Sequence, residues 1–166
     1  MIGLRRAQRQ EADCYAAKED FRNLFIENMD ELYRLSFLLT CDQQMAEQCF
    51  MAGIESCVGA NRIFKNWARS WAKRAIIQSA IGELRLHPSV SHTCSNARFH
   101  DLRKQPSQDL PSELGLVLGL PDLERFVFVM VFLEHYSDQD CAVLLGCSPP
   151  QIIAARARAL AQLIDS

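Results

Sequence analysis

Residues 136–160, YSDQDCAVLLGCSPPQIIAARARAL, contain two short helical patterns on either side of a glycine. Gly146 can adopt the left-handed backbone conformation that ends the first helix. Ser148 can cap the second helix, and Gln151, three residues later, completes a capping box. The two prolines between them fall in the first helical turn, where a missing N–H costs nothing. The segment therefore predicts a helix-turn-helix.

We expect the second helix of this pair to bury Ile152, Leu160 and Leu163. Its opposite face then carries polar and small residues: Gln151, Ala154, Ala155, Arg158 and Gln162. In a helix-turn-helix, a glutamine on such a face can pair with adenine, and an alanine can contact a thymine methyl group. The residues of this pair that we predict to contact DNA are Ser148, Gln151, Arg156 and Arg158.

No strand pattern stands out along the chain, whereas helical spacing of apolar residues recurs in both halves. In the first half it predicts one helix from Phe21 to Leu39, a second with Asp42 as its N-cap, and a third over about 63–84. We therefore predict an all-α protein. Its parts are a three- to four-helix bundle at 18–85, a flexible linker at 86–111, and a C-terminal helix-turn-helix domain at 112–166.

The third helix combines basic and aromatic residues and has no acidic residue between Asn61 and Gly82. At 100° per residue, one stripe contains Arg62, Lys65, Arg69 and Lys73, and the two tryptophans lie on another face. A line of cations can track a phosphate backbone, and exposed aromatic rings can stack on unpaired bases. The predicted DNA-binding residues are Arg62, Lys65, Trp67, Arg69, Trp71, Lys73 and Arg74.

The alternative interpretation is an ordinary amphipathic helix whose cations are merely solvated. For Trp67 and Trp71 taken alone, we favour a place in the core, because large aromatic side chains at helical spacing are most often buried. The DNA-binding interpretation requires the row of cations to face solvent unopposed by carboxylates from elsewhere in the molecule, whereas the alternative does not.

The composition is that of an ordinary soluble globular protein, with 49% hydrophobic and 23% charged residues. The formal net charge is −2, so any affinity for nucleic acid must come from a local patch. The longest apolar run, residues 126–133, is less than half the length of a membrane span. We expect a cytoplasmic protein without a membrane span.

The seven cysteines include no C-x-x-C pair, which favours a role as small buried hydrophobic residues in a reducing cytosol. His87, His92, Cys94 and His100 form a possible zinc-ligand set, but their spacing matches no finger or ribbon that we can name. We expect no cofactor or metal. We also expect no enzymatic activity, because no nucleophile–base spacing or glycine-rich phosphate loop is present.

Taken together, these segments resemble the sigma-70 family of bacterial RNA polymerase sigma factors, in its small extracytoplasmic-function type. Residues 31–55 are similar to the family's region two, with its L-T-G-D-x-x-x-A-E pattern, and residues 64–85 resemble its F-x-x-W-L-x-x-I-A-x-N helix. Residues 118–163 resemble region four, with its L-P-x-x-x-R-x-V-F and L-G-x-S motifs. The chain is a diverged match, because Met51 and Ala52 stand where the family has a Gln-Glu pair.

The resemblance implies a transcription initiation factor that binds core RNA polymerase and promoter DNA, both double-stranded and melted. It implies that Asp42, Glu47 and Gln48 contact the polymerase, and it makes an anti-sigma factor a further candidate partner. A usual Lys and Arg of the recognition helix are replaced by Ile153 and Ala155. Two alternatives follow from these departures: a protein-interaction module that does not read promoters, and a stand-alone dimeric helix-turn-helix repressor.

Overall fold

The computed structural model describes residues 14–60, 62–84 and 112–165. The prediction of an all-α fold is confirmed: these residues form helices, turns and one isolated bridge between Tyr15 and Phe64. The chain divides into two compact units, Met1–Arg85 and Leu86–Ser166. The predicted linker and the alternative zinc ligands fall at 86–111, which lies outside the described residues. The exact domain limits therefore stay a prediction.

In its described residues, the first unit is a bundle of four α-helices and one short 3-10 helix. They are α1 (Lys18–Glu27), α2 (Met29–Thr40), α3 (Gln43–Gly59), the 3-10 helix (Lys65–Trp67) and α4 (Ala68–Leu84). The single helix predicted from Phe21 to Leu39 was wrong, because it breaks at Asn28. The Asn28 side chain donates a hydrogen bond to the Leu24 carbonyl at 2.8 Å and so caps the end of α1.

The core of the first unit is formed where α3 packs against α2 and α4. Leu32, Leu39 and Ile76 are fully buried there. Asp42 caps α3 as predicted, since its carboxylate accepts a hydrogen bond from the Met45 N–H at 2.7 Å. At Gly53 the two helices approach closely: a Cβ atom there would lie 2.7 Å from Cγ1 of Ile76. The absent side chain is what permits this approach.

The second unit contains the predicted helix-turn-helix. Its elements are α5 (Ser112–Leu118), α6 (Asp122–Phe128) with its π-helical continuation (Val129–Leu133), α7 (Asp138–Leu145) and α8 (Pro149–Ile164). Gly146 ends α7 with φ of 64°. Ser148 and Gln151 form the capping box of α8, and its prolines occupy the first turn. The predicted end of α7 and the predicted start of α8 are confirmed.

The predicted burial of α8 was wrong at Ala155 and Leu160, and Leu163, also predicted to be buried, is only half-buried. The core-facing residues are Ile152, Ala155 and Ala159, whereas Leu160 is partly exposed. Ala155 was expected on the outer face and Leu160 in the core. Both sides of α8 carry apolar residues, so periodicity alone does not decide between them. The small Ala155 and Ala159 side chains let α8 pack closely on α6.

A fully buried arginine fixes the beginning of α6. The Arg125 guanidinium donates hydrogen bonds to the Leu120 carbonyl at 2.9 Å and to the Asp122 carboxylate at 2.7 Å. These bonds tie the turn before α6 to its first residues. In the part of the chain that the structure describes, none of the helices is long and apolar enough to span a membrane.

We predict that Gly53→Ala lowers the free energy of unfolding by about 1–3 kcal/mol, because the added methyl group would press on the buried Ile76 side chain. Gly59→Ala is the matched control, since a Cβ atom there meets nothing within 4 Å. Urea unfolding measures both variants. Equal stability of the two would contradict the close approach of α3 and α4.

Candidate nucleic-acid interface

The tryptophans of the first unit face solvent. Trp67 is 65% exposed, Trp71 is 38% exposed and Phe64 is 43% exposed. The interpretation that placed the two tryptophans in the core was wrong. Instead, α4 buries a row of small and β-branched side chains, which includes Ala68, Ala72 and Ile76. These residues fill the close contact with α3 and leave the larger rings on the outside.

Tyr15 extends this row of rings, although it lies far away in the sequence. The Ala16 N–H donates to the Ile63 carbonyl at 2.7 Å, and the Lys65 N–H donates to the Cys14 carbonyl at 3.0 Å. The Tyr15 ring consequently stacks on Phe64 with a centroid distance of 4.8 Å. Phe64 in turn meets the edge of Trp67 at 5.5 Å. No local pattern in the sequence marks Tyr15 for this position.

The predicted cationic stripe is only partly present. Arg62 precedes the helical segment and has a left-handed backbone with φ of 59°, so it is not on a helix face. Lys65 lies in the 3-10 helix, and α4 begins only at Ala68. The assignment of Arg62 and Lys65 to one α-helical stripe with Arg69 and Lys73 was therefore wrong.

Carboxylates from α1 and α2 pair with three of these cations. Glu31 accepts hydrogen bonds from Arg69 and from Lys73, the latter at 2.7 Å. Lys65 lies 3.5 Å from the Asp20 carboxylate. The expectation of an unopposed row of positive charge was wrong, because these carboxylates come from other helices and no local sequence pattern reveals them.

The ion pairs shift the ionisation of their acidic partners. Hydrogen bonding to Lys73, followed by that to Arg69, lowers the pKa of the Glu31 carboxyl below its usual value. A hydrogen bond from the Ala17 N–H, together with the charge of Lys65, lowers the pKa of Asp20. Both carboxylates are thus held in their charged form.

Two of the predicted cations lie near the rings along the chain, Arg62 two residues before Phe64 and Arg74 three residues after Trp71. Within the described residues, neither Arg62 nor Arg74 has a carboxylate partner. Arg74 follows Trp71 by three residues in α4, so the two side chains lie on the same helix face. We call Phe64, Trp67, Trp71, Arg62 and Arg74 the aromatic-basic surface. It offers ring faces for stacking and two cations for phosphate contact.

Two of the three paired cations remain accessible to solvent, whereas the Lys73 side chain is only 19% exposed. The Arg69 side chain is 57% exposed and that of Lys65 is 48% exposed. Exposed ion pairs contribute only about 0–1 kcal/mol. A phosphate that reaches this side of α4 can therefore compete with Asp20 or Glu31 for its cations.

In the second unit, the predicted DNA-reading residues make contacts within the protein. The Gln151 Oε1 accepts hydrogen bonds from the Ser148 N–H at 2.8 Å and from the Ser148 hydroxyl at 2.9 Å. Paired recognition of adenine uses both the oxygen and the nitrogen of a glutamine amide. The capping box thus engages the amide oxygen of Gln151, which is one of the two groups that paired recognition of adenine needs.

The two arginines of α8 are also paired. Arg156 donates to Asp138 of α7 at 2.7 Å, and Arg158 donates to Glu124 of α6 at 2.7 Å. Each pair fastens α8 to a neighbouring helix, and Glu124 is almost fully buried. DNA contact by Arg156 or Arg158 would require the loss of one of these bonds.

The residues expected to contact polymerase lie on or beside α3. The Asp42 carboxylate is engaged in the N-cap, whereas Glu47 and Gln48 are exposed. Met51, which is 55% exposed, lies one turn further along the same face. Glu47, Gln48 and Met51 therefore form an exposed surface on one side of α3 that has both polar and apolar groups.

The described cysteines do not form a chemical site. Burial raises the pKa of Cys57 and of Cys141 to about 11, which keeps both as unreactive thiols at neutral pH. Cys49 is buried as well, whereas Cys14 is exposed. Among the residues that the structure describes, no group of three or more His, Cys, Asp or Glu side chains could hold a metal ion.

We predict that Glu31→Gln lowers the free energy of unfolding by up to about 1 kcal/mol at pH 7. Because the folded-state pKa of Glu31 is lowered, its contribution is present above the unfolded-state pKa and is lost as pH falls through the folded-state value. The difference between the wild-type protein and the variant should therefore shrink in acid. Urea unfolding from pH 7 to pH 3 measures it, with Glu55→Gln as an exposed control. A constant or growing difference would contradict the pairing.

Comparison with known proteins gives a fold but no sequence relative. No protein-family model and no curated protein sequence matches the chain. Among solved structures, the chain is similar to the sigma factor RpoE of Bartonella quintana, solved in complex with the anti-sigma factor NepR. The TM-score is 0.56 at 16% sequence identity, over 89% of this chain and 96% of that chain. The all-helical fold of this protein is thus similar to that of a sigma factor.

Proposed function

We propose that this protein is a sigma-like transcription initiation factor whose first unit contacts both core RNA polymerase and promoter DNA. The observation that carries the proposal is the exposure of Trp67 and Trp71 beside Arg74, which has no carboxylate partner in the part of the chain that the structure describes. Large exposed aromatic side chains are uncommon in a soluble domain and often mark an interaction site. The similarity of the fold to that of a sigma factor supports the same assignment.

The aromatic-basic surface suits melted DNA better than an intact duplex. Stacking of an unpaired base on an aromatic ring contributes about 1–3 kcal/mol, and every base has a face that can stack. Arg62 and Arg74 would contact phosphates on either side of such bases. Lys65, Arg69 and Lys73 would add further phosphate contacts by exchanging a carboxylate partner for the nucleic acid.

Polymerase would bind the exposed side of α3. Glu47 and Gln48 supply polar groups there, and Met51 supplies an apolar centre. An apolar centre with a polar rim is the usual composition of a protein interface. In this account the chain itself performs no catalysis and needs no cofactor, since the polymerase carries out the reaction. An anti-sigma factor would be a regulatory partner.

The second candidate is a protein-interaction module that does not read promoters. The ion pairs of Arg69, Lys73, Arg156 and Arg158 favour it, because each removes a cation that DNA binding would use. The two candidates differ in affinity for a forked promoter fragment that exposes unpaired bases.

We predict that Trp67→Ala weakens binding to such a forked fragment by about 5- to 100-fold, through loss of base stacking. Binding to the fully paired duplex should change much less. Fluorescence anisotropy at fixed salt measures both affinities. Ile26→Ala, which shortens an equally exposed apolar side chain of the same unit, is the control. Equal effects of the two substitutions would favour the second candidate.

We also predict that Glu31→Gln raises the affinity for the forked fragment, by up to about fivefold, because it frees Arg69 and Lys73 for phosphate contact. Glu55→Gln again serves as the control for the loss of one negative charge. Unchanged or weaker binding by Glu31→Gln alone would show that this side of α4 does not meet DNA.

A further inference from the structure

The residues just before α1 are joined to the residues just before α4. Two backbone hydrogen bonds, of 2.7 Å and 3.0 Å between nitrogen and oxygen, link residues 14–16 to residues 63–65. Tyr15 and Phe64 are the paired residues of the antiparallel bridge at this point. Side chains of paired residues lie on the same face, and the two rings stack with 26° between their planes. The backbone therefore keeps the Tyr15 ring over Phe64.

The Asp20 carboxylate joins the same two segments through side chains. It accepts a hydrogen bond from the Ala17 N–H at 2.8 Å and lies 3.5 Å from the ammonium group of Lys65. An exposed ion pair of this kind contributes little by itself. Next to the bridge, it adds a further point of attachment between the start of α1 and the 3-10 helix. Residues 14–17 are thus an attached part of the first unit.

Tyr15 and Trp67 contact the Phe64 ring in different ways. Tyr15 lies against a face of that ring, whereas the Trp67 ring is inclined to it by 77° at a centroid distance of 5.5 Å. The face that Phe64 shares with Tyr15 is therefore closed to a nucleobase. Trp67 is more exposed than Phe64. This arrangement makes Trp67 the ring that is open to stacking and Phe64 the ring that supports it.

We propose that Tyr15 is a positioning residue of the nucleic-acid site, which acts through Phe64 to hold the Trp67 ring where an unpaired base can stack on it. The inference rests on the proposed DNA binding of the first unit. A side chain that is held in place before binding loses less conformational freedom when the ligand arrives. The same stacking contact on Trp67 therefore gives a higher affinity when Tyr15 is present.

The same contacts argue against a masking role, in which Tyr15 covers Phe64 and leaves when DNA binds. The bridge bonds and the pair between Asp20 and Lys65 hold residues 14–17 in place, so this segment does not have the freedom of a lid. The two roles predict opposite effects of removing the Tyr15 ring. Loss of a positioning residue weakens binding, whereas loss of a mask strengthens it.

The test measures binding of the labelled forked fragment to the full-length protein at fixed salt. Tyr15→Ala should weaken binding by about 2- to 10-fold, because the Trp67 ring loses its support and must be ordered by the DNA. Tyr15→Phe keeps the ring and should bind within about twofold of the wild-type protein. Tyr33→Ala is the matched control, since Tyr33 is also half-buried and its ring contacts Phe50 at 6.1 Å, outside the row of rings. It should leave the DNA affinity unchanged.

A fluorescence measurement separates positioning from a general loss of stability. The chain has two tryptophans, so Trp71→Phe leaves Trp67 as the sole tryptophan. In that background, Tyr15→Ala should increase the fast component of the time-resolved anisotropy of Trp67 in the free protein, and Tyr33→Ala should not. At saturation with the forked fragment, the Trp67 emission should also be quenched less in Tyr15→Ala than in the background protein.

Unchanged or tighter binding by Tyr15→Ala, while Trp67→Ala weakens binding, would overturn the inference and leave the proposed function standing. So would an equal loss of binding by Tyr33→Ala, or a Trp67 ring whose mobility does not change. Should Tyr15→Ala fail to fold, Ala16→Pro removes the N–H that bonds to residue 63 and should weaken binding in the same range, and unchanged binding by it would likewise overturn the inference. Absence of binding by the wild-type protein would instead contradict the proposed function, and the inference would fall with it.

Discussion

The carboxylate of Glu31 holds two cations of α4 and thereby joins α2 to α4. The same contact determines where positive charge is available on the first unit. It draws Arg69 and Lys73 toward α2. Arg74, which has no carboxylate partner among the described residues, lies instead on the face of α4 that carries Trp71. The proposed DNA binding therefore depends first on the rings and on Arg62 and Arg74. An exposed ion pair is weak enough for a phosphate to displace it, so the pairing with Glu31 is compatible with that proposal.

The two units use arginine in different ways. In the second unit, the buried Arg125 orders the start of α6, and Arg156 and Arg158 attach α8 to its neighbours. These bonds make the helix-turn-helix stable but leave it without cations for phosphate. The arginines of the second unit thus serve its internal packing, whereas the aromatic-basic surface on which the proposed DNA binding rests belongs to the first unit.

The features that the sequence predicts well are those decided by a few neighbouring residues. The N-cap at Asp42 and the capping box of Ser148 and Gln151 depend on contacts within one helical turn. The features that it predicts poorly depend on residues far apart. The pairing of Arg69 with Glu31 spans 38 positions, and the stacking of Tyr15 on Phe64 joins segments that no local pattern relates. The exposure of Trp67 could not be predicted from local sequence either. It results from the close packing of α3 on α4, which places small residues in the core and leaves the large rings outside.

The most direct measurement is the salt dependence of binding between the wild-type protein and a forked promoter fragment. Each phosphate contact to single-stranded DNA contributes a slope of about −0.7 in log affinity against log salt concentration. Contacts by Arg62 and Arg74 alone predict a slope of about −1.4, and recruitment of the three paired cations would bring it to about −3.5. A slope in that range, with tighter binding to the forked fragment than to the duplex, is what the account predicts. Binding that is absent, or that is indifferent to salt and to unpaired bases, would contradict it.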